Sequence, residues 1–209
     1  MKNPKPLQLA VLQILDAAVG QIEHEQPLYG DWSVQGFGVL RLYIRKIGRL
    51  HIWNSALRYP SVSLIHNHSW DLRSTVVCGR LVNQRYEEWE FAPATVTMDP
   101  DLRYNRRRIM TGYDCKFVAP EDVVTLVRLN REQYFAGDVY HQRAQEVHAS
   151  LPDDGCITLM ERREESNGEA NVYWPINGAW GDAKPRLATR TEVMRTIQAA
   201  YLQLEKEIG

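Results

Sequence analysis

The sequence predicts an all-β barrel or sandwich core with an α-helix at each end. Three observations carry this. Short runs rich in β-branched and aromatic residues recur from Val34 to Trp174, separated by Gly, Asp and Pro turns. An amphipathic repeat precedes them, and a second follows them.

Residues 7–24 form the first repeat. Val11, Leu12, Leu15, Ala18, Val19 and Ile22 fall at helical spacing, with Pro6 at the first turn. The strands begin with a hairpin, in which 39–45 and 50–53 flank the turn Ile47-Gly48-Arg49. Leu64–His68 is the next strand. Ser74–Cys78 and Arg80–Tyr86 follow, broken by Gly79, where a bend or close backbone approach is expected. Residues 98–108 read as a polar loop whose arginine run is balanced by nearby aspartates. Further strand pieces are 109–110, 115–118, 123–129, 156–160 and 171–174, with a turn at Ser166-Asn167-Gly168 between the last two. Thr189 with Glu192 is a capping box, and Val193, Ile197, Ala200, Tyr201, Leu204 and Ile208 give the closing helix its apolar face.

The 209 residues suit a single domain, with a barrel over 38–175 and a closing helix over 189–208. A net charge of −1 argues against a nucleic-acid or anionic-membrane partner. Cys78, Cys115 and Cys156 are too widely spaced for a disulfide framework or zinc knuckle and fit a reducing compartment. No convincing signal peptide or membrane-spanning run is present, so a cytoplasmic protein is expected. Monomer and homodimer remain open.

The chemistry gathers around Ser63-Leu64-Ile65-His66-Asn67-His68-Ser69-Trp70-Asp71. In a strand, His66 and His68 point to one face, where two neutral imidazoles can share a metal ion. A Gly137-Asp138 turn runs into a third histidine, His141. Asp71 is either a supporting acceptor for an imidazole N–H or a turn residue bonding its own backbone. Trp70 either lines the pocket or packs in the core. His148 is an alternative to His141 as ligand, a support for it, or a solvent-facing residue. His51 shares a sheet face with Trp53 and reads as packed there.

These stretches resemble the two motifs of the cupin superfamily, a jelly-roll barrel with a metal in its mouth. His66, His68 and Gly79 match the first motif, which has Arg73 and Ser74 where a glutamate is usual. Gly137 and His141 match the second, with one extra residue between them. Within the superfamily the chain is most similar to thiol dioxygenases of the cysteine dioxygenase type. Tyr43-Ile44-Arg45 resembles that family's Tyr-x-Arg, and His141 with His148 resembles its His-x6-His stretch. Arg73 and Thr158 stand where the family's crosslinked cysteine and tyrosine fall.

The resemblance implies Fe(II) held by His66, His68 and His141, with a small carboxylate-bearing thiol and O2 as substrates. Three neutral imidazoles leave the ion its full charge and three open positions, so thiolate and O2 can bind side by side. Arg45 is the candidate fork for the substrate carboxylate, or else a surface salt bridge. Arg41, on the same strand face, is its alternative. Zinc, nickel or manganese on the same histidines would instead serve as a Lewis acid for isomerisation or hydrolysis. A small-molecule binding module without turnover is the third expectation.

Overall fold

The computed structural model describes residues 6–45, 47–59, 64–89, 103–110, 122–165, 168–178 and 184–208. Helix α1 (Pro6–Glu23) leads into β1 (Trp32–Gln35), β2 (Val39–Ile44) and β3 (Gly48–Trp53). A single 3-10 turn (Ser55–Leu57) separates these from β4 (Ile65–His66), β5 (Trp70–Cys78) and β6 (Arg80–Trp89). Then come β7 (Arg103–Met110), β8 (Asp122–Phe135), β9 (Val139–Gln142), β10 (Val147–Pro152), β11 (Ile157–Glu165), β12 (Glu169–Pro175) and β13 (Arg186–Leu187). Helix α2 (Arg190–Ile208) ends the order.

One sheet runs β13-β1-β2-β3-β11-β5-β9. The other six strands close on themselves in the order β10-β4-β12-β7-β8-β6. Every pairing is antiparallel. A mostly-β chain with this closed barrel and two terminal helices is consistent with the jelly-roll cupin fold. No helix among the described residues is long and apolar enough to cross a membrane.

Strand alternation sorts the seven-stranded sheet into two faces. Leu40, Leu42, Leu50, Ile52, Ile157 and Leu159 face the helices and pack on Val11, Leu15, Ile197 and Leu204. At roughly 1.5–3 kcal/mol per fully buried aliphatic side chain, this layer is what docks both helices. The buried Gln8 amide of α1 donates to the Val77 carbonyl at 3.1 Å. The predicted capping box forms in full. The Thr189 N–H donates to Glu192 Oε2 at 2.9 Å, and the Glu192 N–H donates to Thr189 Oγ1 at 3.2 Å. On the other face of the sheet, Val39, Trp53, Trp70, Leu72 and Met160 form a second cluster. The closed barrel has its own filling of Ile65, Val124, Leu126, Val147, Ala149 and Tyr173.

The hairpin of β2 and β3 forms, but Gly48 and Arg49, expected in its turn, belong to β3 and pair with Ile44 and Tyr43. Gly79 has φ +80, and a Cβ there would sit 3.0 Å from the Cys156 backbone, so the bend and the close approach coincide. Three further expectations need correction. The predicted loop at 98–108 is a strand from Arg103 onward, because Arg106 finds Glu88 and Asp122 across the barrel wall and Arg108 reaches Glu169. The strand expected over 64–68 stops at His66. The stretch after Gly137 holds two further strands, β9 and β10, which the sequence reading did not separate. The piece predicted at 115–118, Cys115 included, and Ser166-Asn167 lie outside the described residues.

Candidate metal centre

β4 lies between β10 and β12, and its register with β10 sets His148 directly opposite His66. In both strands the neighbours of these histidines point the other way. Ile65 and Ala149 enter the barrel filling, so the two imidazoles are left on the side facing the seven-stranded sheet. His68 lies just beyond β4 and closes the group. Its ring stands edge-on to His66 at 4.8 Å and lies 5.1 Å from His148, while His66 and His148 are 4.8 Å apart. One nitrogen from each residue lies within 4.8 Å of the other two.

The donor set fits a cation. A carbonyl only accepts, so the contact of His66 Nδ1 with Leu64 O at 3.0 Å places the proton on Nδ1 and the lone pair on Nε2. His148 Nδ1 makes the same contact with Glu146 O at 3.3 Å. Backbone anchoring of the far nitrogen is how ligating histidines are usually oriented.

Burial keeps all three rings neutral, the form a metal needs. Burial pushes His148 down to about 3, helped by the closeness of His66 and partly offset by the Glu146 carbonyl. Burial also lowers His66, against its bond to Leu64. His68 falls well below the usual imidazole value through burial, then through His66, His148, Arg49 and His51. A consequence for stability follows. Below pH 6.5 the unfolded chain takes up a proton on His148 that the folded protein refuses until about pH 3. Metal-free protein should therefore lose stability steadily as pH falls through that window, by about 1.4 kcal/mol per pH unit for each such histidine. Denaturant midpoints measured from pH 7 to pH 4 check this. The slope should flatten in His148→Leu, and an equal slope in both proteins would contradict the assignment.

The other predicted residues divide sharply. His141 does not join the group. In β9, Tyr140 and Gln142 are buried, whereas Val139 and His141 are exposed. β9 forms the edge of the seven-stranded sheet, where His141 pairs with Arg73. Alternation along β9 puts His141 on the face opposite the buried Tyr140 and Gln142. Asp71 accepts the Ala144 N–H at 2.7 Å and so ties a loop rather than an imidazole. Trp70 is buried beside the site, its ring 5.2 Å from His68 and covered on another side by the Arg162 guanidinium at 4.2 Å. Arg45 is exposed in the β2–β3 turn and is not brought to the histidines. Arg41 is half-buried on the inner sheet face, opposite His51, and donates to Gln35 Oε1 at 3.1 Å.

Two residues missed from the sequence also face this space. Phe37 lies 5.7 Å from His66 and 5.9 Å from Trp53. Arg49 lies over the Trp70 ring at 5.6 Å, and its charge depresses both His51 and His68. The parity of β3, shared by Arg49, His51 and Trp53, was the available signal. Among the described residues, His51 Nε2, Trp53 Nε1 and Trp70 Nε1 on this face are buried with no hydrogen-bond partner.

No protein-family model matches this chain, and no curated protein matches it. A β-barrel with a three-histidine group that could hold a metal ion is compatible with a cupin metalloprotein.

Proposed function

We propose that the chain is a non-haem Fe(II) oxygenase of the thiol dioxygenase type, acting on a small thiol that carries a carboxylate. The convergence of His66, His68 and His148 is the observation that carries this reading, since it offers three neutral nitrogen donors and no carboxylate. Fe(II) held there would bring thiolate and O2 together and relay electrons from sulfur to O2 with no net change in its own oxidation state. In the overall reaction both oxygen atoms end on sulfur and the thiol becomes a sulfinic acid, with no further reductant consumed.

The protein's part is to hold and orient. The Leu64 and Glu146 carbonyls keep Nε2 of His66 and His148 free for the ion. Arg41 and Arg49, on neighbouring strands of the inner face, offer guanidinium groups to a substrate carboxylate in place of Arg45. The unpartnered nitrogens of His51, Trp53 and Trp70 add polar groups that a bound oxygen-rich substrate would satisfy. Arg73 is committed to Glu161 at 2.5 Å and Thr158 is buried in β11, so the cysteine–tyrosine crosslink of the similar family has no equivalent among these residues. A substrate other than cysteine is favoured on that ground.

The test is metal content by elemental analysis, followed by oxygen consumption with a panel of thiol acids on Fe(II)-loaded protein. Iron near one per chain and oxygen uptake with sulfinate formation are the expected results. Activity that persists without O2 would replace this reading with Lewis-acid chemistry on zinc, nickel or manganese. Binding without turnover would leave a small-molecule-binding module.

A further inference from the structure

The short turn before β10 is hydrogen-bonded to the segment that carries His68, and Gln145 makes those bonds. Gln145 is one of two non-glycine residues in left-handed backbone among the described residues, with φ +67. Such a conformation is strained for a residue with a Cβ and persists where surrounding bonds demand it. Here the bonds are visible. The Gln145 backbone N–H donates to the His68 carbonyl at 2.9 Å. Its side-chain Nε2 lies 3.4 Å from the same carbonyl and donates to the Glu169 carbonyl at 3.0 Å. Its Oε1 accepts from Asn67 Nδ2 at 3.2 Å. Asn67, buried between the two histidines, is itself bound to β12, accepting the Asn171 N–H on Oδ1 at 2.6 Å.

His68 needs such a device. It lies beyond the end of β4, so the pairing that fixes His66 opposite His148 does not reach it. We propose that Gln145 is the positioning residue of the metal centre: its left-handed backbone and two-sided amide fix the His68 segment against β12 and so set the third donor. The inference rests on the metal reading above. It adds that the geometry of the triad is set from the turn at 143–146, which also leads into His148. The left-handed backbone is part of the mechanism, because it lets the N–H and the side chain of one residue turn towards the same carbonyl.

Two variants separate strain from support. Gln145→Gly accepts the left-handed backbone and keeps the N–H bond to His68, but loses the amide. Gln145→Asn also tolerates that backbone but carries a shorter amide. The probe is Co(II), titrated into metal-free protein and followed by its visible absorption, with folding checked by circular dichroism. Gln145→Gly is expected to bind Co(II) about 10- to 100-fold more weakly than wild type, with altered visible bands, and Gln145→Asn to fall between them. Wild-type affinity and an unchanged spectrum in Gln145→Gly would overturn the proposal. A wild-type protein that binds no Co(II) would sink the metal reading instead. In that event, the ring resonances of metal-free protein decide the positioning role. Those of His68 should move in Gln145→Gly while those of His51 stay, and an unmoved His68 overturns it.

Discussion

His148→Ala is expected to abolish tight metal binding, whereas His141→Ala leaves it unchanged. The argument is one of register and parity. His148 stands opposite His66 in the β4–β10 pair, and its ring lies 4.8 Å from His66 and 5.1 Å from His68. His141 lies on an exposed face of an edge strand. Loss of an outer hydrogen-bond partner typically weakens a metal site about 10- to 100-fold, so loss of a ligand should exceed about 100-fold. Titration of both variants with Fe(II) or Co(II) reads the difference. The variant at position 148 removes a buried ring, so its fold is checked by thermal unfolding. Should it fail to fold, His148→Gln keeps a polar side chain at the site without the imidazole. Metal loss in His141→Ala with retention in His148→Ala would overturn the assignment.

The residues that were legible in the sequence are those whose signal is local. The amphipathic repeat of α1, the capping box of α2, the hairpin around Gly48 and the bend at Gly79 each follow from a few neighbouring side chains. His66 and His68 were legible for the same reason, being two residues apart. The third histidine of the group was legible only as an alternative, because its identity depends on which strand pairs with β4. Val147–Pro152 contains Ala, Ser and Pro, a weak strand signal, so no separate strand was read there and His148 stood only as an alternative to His141. The motif likeness then favoured the nearer residue, and the sequence alone cannot show that β9 and β10 belong to different sheets. Arg45 failed similarly. The Tyr-x-Arg likeness named a residue at the end of β2, where the chain already turns outward. The arginine nearer the histidines is Arg49, on the partner strand, over the Trp70 ring that lies beside His68.

Gly48→Ala should be among the most destabilising single changes in the chain, costing about 3 kcal/mol or more. Two independent terms add at this position. Its φ of +150 lies in a region that residues with a Cβ rarely adopt, a cost on the order of 1–3 kcal/mol. A Cβ would also fall 2.2 Å from the Met160 carbonyl oxygen and 3.3 Å from Glu161 Cα. The obstructing atoms are backbone of β11, which pairs with β3 on one edge and β5 on the other, so they cannot swing aside as a side-chain tip would. Relief would require β3 to move off β11 at the end where Arg49 follows directly, and Arg49 and Trp70 are in contact. The substitution should therefore lower the denaturant midpoint and also disturb the wall facing the histidines. Chemical unfolding of metal-free protein measures the first effect, and the absorption of Co(II)-loaded protein measures the second. A loss below about 1 kcal/mol, within the ordinary range of point changes, would mean that the β3–β11 pair is looser at this end than the register shows.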